Sequence, residues 1–263
     1  MFMTPPSIAT IQDFRSLLAA YRLPRIVLTA LELDLFTTLG SRARPIEQLA
    51  KTLGVSRRGL EILCRNLATC GLLNKRGDVY RNSSFAATQL NANHPQYRGA
   101  YLELLKSQWT QWSRLTDSVK SGRPVDQNGP ETPDYRPQFT WAMHHRSVDV
   151  AARVAAGIDL RQASSLLDLG GGPGTYAMAF LRQNRKLQAT ICDRQAALEV
   201  AKEIAAPLKL RKRLSYLTLN FMEEDLPGQY VLFGILMCSI FTRRAKTRRC
   251  SVASFRRFLQ AAA

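Results

Sequence analysis

Ser165-Leu166-Leu167-Asp168-Leu169-Gly170-Gly171-Gly172-Pro173-Gly174-Thr175-Tyr176 is the stretch that decides the fold. Its first residues read as an apolar strand. The strand runs straight into a glycine turn, and an amphipathic helix follows to about Gln183. Glycines at 170, 172 and 174 let the backbone turn tightly and let a ligand approach without meeting a Cβ. A second apolar run, Leu187 to Cys192, ends at Asp193. A carboxylate at the tip of that strand can accept two hydrogen bonds from ribose hydroxyls.

The details of the loop narrow the ligand. A phosphate-binding loop ends in Gly-Lys-Ser/Thr, which is not found here. A dinucleotide fingerprint wants its third glycine at 175, where this chain has Thr175. Asp168, inside the strand end, fits poorly beside a pyrophosphate and well near a cationic amino group or sulfonium. The pattern favours S-adenosylmethionine over NAD. A third strand follows at about Leu214–Leu219 and runs into Asn220-Phe221-Met222-Glu223-Glu224-Asp225-Leu226-Pro227. Phe221 and Met222 suit the two sides of an adenine ring, with Asn220 at its edge. A capped strand end with solvated acids explains the same residues equally well.

Upstream lies a helical connector, residues 91–150. Trp109 and Trp112 share a helix face there and read as core or interface residues. The proline-rich run 121–137 reads as a loop or lid. Phe139-Thr140-Trp141-Ala142-Met143-His144-His145-Arg146-Ser147 starts a helix to about Ala156. Adjacent histidines point to different sides of a helix and cannot chelate one metal, so one is expected packed and the other solvated.

The first ninety residues form a separate pattern. Residues 10–40 read as two amphipathic helices stopped by Gly40. Pro45 to Ala50 opens a helix, Ser56 caps the next one, and Gly71 stops it near Cys70. Leu72 to Tyr80 reads as a hairpin turning at Gly77. Helix, turn, helix, hairpin is a winged helix. Such a unit serves DNA binding or dimerisation, and Arg57 and Arg58 at the start of its second helix fit the former.

Net charge is +17 and the chain has five cysteines with no Cys-x-x-Cys spacing. A disulfide framework or zinc site is not expected. No secretory pattern opens the chain, and no run reaches the roughly 18 apolar residues of a membrane span. A cytoplasmic protein with no metal and no membrane partner is expected.

These segments together resemble the bacterial and plant-type small-molecule O-methyltransferases with an N-terminal winged-helix dimerisation domain. The resemblance rests on LAKTLGVS, GLLNKRGDVY, WAMHHRS, LLDLGGGPGTYAMAF and NFMEEDLPGQY, and covers roughly residues 10–230. It implies a mainly α dimerisation domain at 1–95, a connector lining the acceptor pocket at 96–150 and a partial class I, Rossmann-like α/β domain at 151–230. It implies S-adenosylmethionine as cofactor, with Gly170, Gly172 and Gly174 at its methionine part, Asp168 nearby, Asp193 on the ribose, and Phe221 and Met222 bordering adenine. Trp141, Met143 and His144 would line the pocket of a small-molecule hydroxyl acceptor, a phenol or polyketide natural product. The winged helix would build a homodimer and not read DNA. The family has Asp where this chain has Asn220.

The resemblance is expected to stop after Tyr230. Residues 231–263 hold seven arginines and lysines and no acid, and no histidine follows His145, so no catalytic base is assigned. A frameshift or truncated paralogue would explain this. Strands 1 to 4 alone would leave the fourth as an exposed apolar edge and make the α/β half the less stable one. Because a phenol is only about 0.1% ionised at neutral pH, weak or absent turnover on phenols is expected. The competing readings are a DNA-binding regulator and a non-catalytic dimerisation partner of a complete methyltransferase.

Overall fold

The computed structural model describes residues 7–123, 135–159, 163–210, 212–220 and 232–233. Residues 124–134 of the expected loop or lid, the Phe221 and Met222 assignments and the basic tail beyond 233 lie outside the described residues. The chain divides into two compact units, Met1–Gly99 and Ala100–Ala263.

In the first unit, residues 10–40 form three helices, not the expected two: α1 (Ile11–Ala19), α2 (Arg22–Glu32) and α3 (Leu35–Leu39). The extra break falls at Asp34, which adopts φ 51°, a left-handed conformation that aspartate tolerates better than most residues. Local chemistry starts α1. Thr10 Oγ1 accepts from the Asp13 amide at 3.1 Å, and the Thr10 amide donates to Asp13 Oδ2 at 2.8 Å, a reciprocal capping box. Nothing on α1 is buried, and Ile11, Phe14, Leu17 and Leu18 are all exposed.

The winged-helix segment follows as expected, with β1 (Arg44–Pro45), α4 (Ile46–Leu53), α5 (Arg57–Thr69), β2 (Leu73–Arg76) and β3 (Val79–Asn82). The strands pair antiparallel in the order β1-β3-β2. Ser56 caps α5 by accepting from the Gly59 amide, and Gly77 turns the hairpin at φ 62°. Leu60, Cys64 and Leu67 of α5 are buried, each leucine contributing about 1.5–3 kcal/mol.

A buried side chain ties the wing to α3. Asn82 donates from Nδ2 to the carbonyls of Phe36 at 2.8 Å and Gly40 at 2.9 Å, satisfying two carbonyls at the end of α3. Asn82→Ala leaves both carbonyls without this donor. It should destabilise this unit by about 1–3 kcal/mol, read by urea unfolding and by faster hydrogen exchange around residues 36–40. Unchanged exchange there would contradict the assignment.

The second unit begins with α6 (Gly99–Ser113), α7 (Leu115–Ser121) and α8 (Tyr135–Gly157). Trp109 is half-buried, but Trp112 is exposed, so the two do not share a core face within this chain. Then come β4 (Ser165–Leu169), α9 (Thr175–Gln183), β5 (Gln188–Asp193), α10 (Gln195–Ala205), β6 (Leu214–Thr218) and β7 (Leu232–Phe233). The sheet is parallel, ordered β6-β5-β4-β7.

Alternation sorts the strand residues. Leu166, Ala189 and Ile191 join Met178, Phe180 and Leu181 of α9, Leu198 and Val200 of α10, and Ala151 and Ala155 of α8 in one core. Leu167, Leu169, Cys192 and Leu219 form a second cluster. The chain moves from β4 to β5 on one side, and β7 pairs on the other. β4 is therefore the switch point, and ligands in open α/β sheets bind beyond the carboxyl end of such a strand.

Candidate functional site

The carboxyl end of β4 leads into the glycine loop. Gly170, Gly172 and Gly174 have φ of 66°, 49° and 66°, values that L side chains rarely adopt. The Gly170 amide donates to the Cys192 carbonyl at 2.8 Å, and the Gly174 amide closes a turn onto the Gly171 carbonyl at 2.8 Å. A Cβ at 174 would overlap the Ile191 side chain, so this glycine also permits the close approach of α9 to β5.

Asp193 ends β5 beside this loop. Its Oδ2 accepts from the Gly172 amide and its Oδ1 from the Arg194 amide, both at 2.7 Å. The carboxylate is thus fixed by main-chain donors, while its half-exposed oxygens keep lone pairs for further donors. The end of β6 is tied to the same place, since the Leu219 amide donates to the Asp193 carbonyl at 3.1 Å. Asn220, half-buried, follows directly.

Asp168 lies beneath the loop and is 2% exposed. It accepts from the Ala177 amide in the first turn of α9, whose N-cap, Gly174, has no side chain to do so. Its Oδ1 is buried with no hydrogen-bond partner among the described residues. Burial pushes its carboxyl up to about 7. The Ala177 amide opposes that shift, and the nearby Asp193 charge adds to it.

Gly171 was not among the expected cradle residues. A Cβ there would stand 2.7 Å from Asp168 Cγ. The signal was in the sequence: an alternating pattern needs glycine only at 170, 172 and 174, and the unbroken Gly170-Gly171-Gly172 run asks for a further reason.

The connector residues divide. His144 Nδ1 and Thr175 Oγ1 share a hydrogen bond of 2.9 Å, linking α8 to the first turn of α9. Trp141 is half-buried against the core, with the rings of His144 and His145 each 5.8 Å from its own. Met143 is 3% exposed. Both histidines are half-buried, so the expected contrast of one packed and one solvated is not found.

A cavity of about 360 Å³, lined by residues such as Gly157, Phe180 and Asn184, opens at the far end of α9. It lies at the wrong end of the strands for a nucleoside site, and the loop geometry is the better guide. On the winged helix, Arg57 reaches Glu47 at 2.9 Å and Glu61 at 3.9 Å, so this would-be phosphate contact already faces two acids. Among the described residues, no helix is long and apolar enough to cross a membrane.

Residues 16–92 match the O-methyltransferase dimerisation domain and residues 112–240 the O-methyltransferase domain. The second match continues past Tyr230, where the resemblance was expected to stop. The chain is 30% identical over 223 residues to the tetracenomycin polyketide synthesis 8-O-methyl transferase of Streptomyces glaucescens, covering 82% of this chain and 66% of that protein. It is 29% identical to the 3-hydroxy-5-methyl-1-naphthoate 3-O-methyltransferase of Streptomyces sahachiroi, covering 79% and 63%. It thus spans a little under two thirds of these relatives. An O-methyltransferase family protein from Burkholderia thailandensis superposes with a TM-score of 0.71 at 26% identity, over 82% of this chain and 66% of that one.

Proposed function

Because the chain belongs to the O-methyltransferase family that carries an N-terminal dimerisation domain, we propose that it binds S-adenosylmethionine and methylates a hydroxyl of a small aromatic or polyketide molecule. One observation carries the reading: Asp193 is held by the Gly172 and Arg194 amides beside a glycine loop at the sheet's switch point. The residues fit the cofactor. Asp193 accepts from the ribose diol, the glycines admit the amino-acid part, and the orphan oxygen of Asp168 offers negative charge beneath a cation.

Bound S-adenosylmethionine supplies an electrophilic methyl on a sulfonium. The chain's own contribution is alignment, which alone removes much of the barrier to such a displacement. Asn220 takes the adenine edge, and Trp141, Met143 and His144 border the acceptor. No described residue is assigned as general base. A calorimetric titration with S-adenosylhomocysteine tests the reading. Micromolar binding is expected, and a folded sample with no binding heat would refute it.

The apolar residues of α1 favour a second copy of the chain as partner. Ile11, Phe14 and Leu18 recur at helical spacing and are 65%, 46% and 58% exposed. Contiguous exposed apolar surface of this kind marks an interface. The double variant Phe14→Asp, Leu18→Asp should sediment as a monomer and the parent chain as a dimer. A monomeric parent would count against the homodimer. This surface and the matched dimerisation domain leave the DNA-binding reading without support.

A further inference from the structure

Asp168 is a poorly compensated group of the second unit. It is an acid 2% exposed, with one oxygen lacking any partner among the described residues, sealed beneath a loop that only glycine fits. The groups around it explain why it is poorly compensated. From β5 comes Asp193, a like charge. From α9 come the helix N-terminus and the Ala177 amide, with no charged side chain but the neutral Thr175 and Tyr176 in the first turn. From α8 comes His144, hydrogen-bonded to Thr175 Oγ1. From β7 comes the Phe233 main chain in register. No basic side chain among these neutralises the carboxyl.

Resting on the reading of the loop as a cofactor site, we propose that Asp168 couples cofactor binding to proton release: the carboxyl is protonated in a large fraction of the free protein and gives up its proton when a cationic ligand settles over Gly171. Atoms and charge balance, since the proton passes to solvent and buffer while the ligand's fixed positive charge replaces it. The Ala177 amide is ready to hold the resulting carboxylate. Burial pushes the free carboxyl up to about 7, so the exchange falls in the neutral range. A unit positive charge about 6 Å away, at an effective dielectric constant of about 20, shifts a carboxyl's ionisation equilibrium about 100-fold. This does not require direct contact with the ligand.

The sign follows from linkage. The ligand prefers the ionised form, so affinity rises with pH. The expected gain is roughly tenfold between about pH 6 and pH 8, with about half a proton released per site near pH 7. The test is calorimetric titration with S-adenosylmethionine near neutral pH, in phosphate and in Tris. These buffers take up protons with very different heats. Binding with a buffer-dependent heat that signals release, and that disappears in Asp168→Asn, supports the coupling. Binding with the same heat in both buffers overturns it and leaves the cofactor site standing. No binding at all overturns the cofactor site, and the coupling with it. Should Asp168→Asn fail to fold, infrared spectra of aspartate-labelled parent protein decide. A protonated-carboxyl band present below neutral pH should vanish on titration, and its absence from the free protein would refute the proposal. An aspartate at its ordinary value of about 3.9 is ionised there, so such a band reports on a raised carboxyl.

Discussion

Asp193→Ala lowers affinity for S-adenosylhomocysteine by at least about 100-fold. On the proposed ribose assignment the carboxylate accepts from two hydroxyl donors, and hydrogen bonds to a charged group are worth about 1.5–3 kcal/mol each. Losing two costs about 3 kcal/mol or more, and each 1.4 kcal/mol is about tenfold. The same change also frees the Gly172 and Arg194 amides, so the loop loses its attachment to β5. Asp193→Asn should fall between, because one acceptor oxygen remains. Calorimetry measures the loss, and an unchanged thermal melt shows that the fold survives. If Asp193→Ala bound within about threefold of the parent, the ribose assignment would be wrong.

Asp168→Asn should change the pH dependence of stability in the opposite sense to a salt-bridged acid. The carboxyl is pushed up to about 7 in the folded protein, against about 3.9 in an unfolded chain. Between these values the native state binds more protons than the unfolded one. Its contribution to stability is therefore greatest below the unfolded value, falls as pH rises, and levels off above about 7. The full cost of ionising a buried carboxyl shifted this far is on the order of 4 kcal/mol. Asparagine does not titrate. Its oxygen can still accept from Ala177, although its amide must occupy the orphan position, which offsets part of the gain. The variant should gain about 2.5 kcal/mol on the parent in going from about pH 5 to pH 8, while binding cofactor less well. All three tryptophans, Trp109, Trp112 and Trp141, lie in the second unit. Tryptophan fluorescence in urea therefore follows the unit that matters. A parent-minus-variant difference that stays flat with pH would contradict this account.

The parts of the fold written in short segments were legible. Leu166 to Leu169 announce a buried strand, the glycines a turn, and Asp193 the tip of the next strand, because each signal spans few residues. Ser56, Gly71 and Gly77 likewise act on their own neighbours. What was hidden depends on contacts across the chain. The break between α2 and α3 turns on the left-handed conformation of Asp34, which aspartate permits but does not demand. The reason for Gly171 is Asp168, whose side chain comes to lie under it only once β4 and the loop have folded. His144 finds Thr175 across 31 positions of sequence, and Asn82 finds Phe36 across 46. No periodicity encodes such pairs. The acceptor side is less legible still, because Trp141 and Met143 carry the same apolar character whether they line a pocket or fill a core.

In the proposed homodimer, the outward apolar face of α1 makes stability a matter of mass action. A helix that buries nothing in its own chain adds little until a second copy covers it, so association and folding draw on the same free energy. The melting temperature of that dimer would have no single value: it would climb as the solution becomes more concentrated and slip on dilution. At low abundance α1, left uncovered, would be open to proteolysis, whatever the occupancy of the glycine loop.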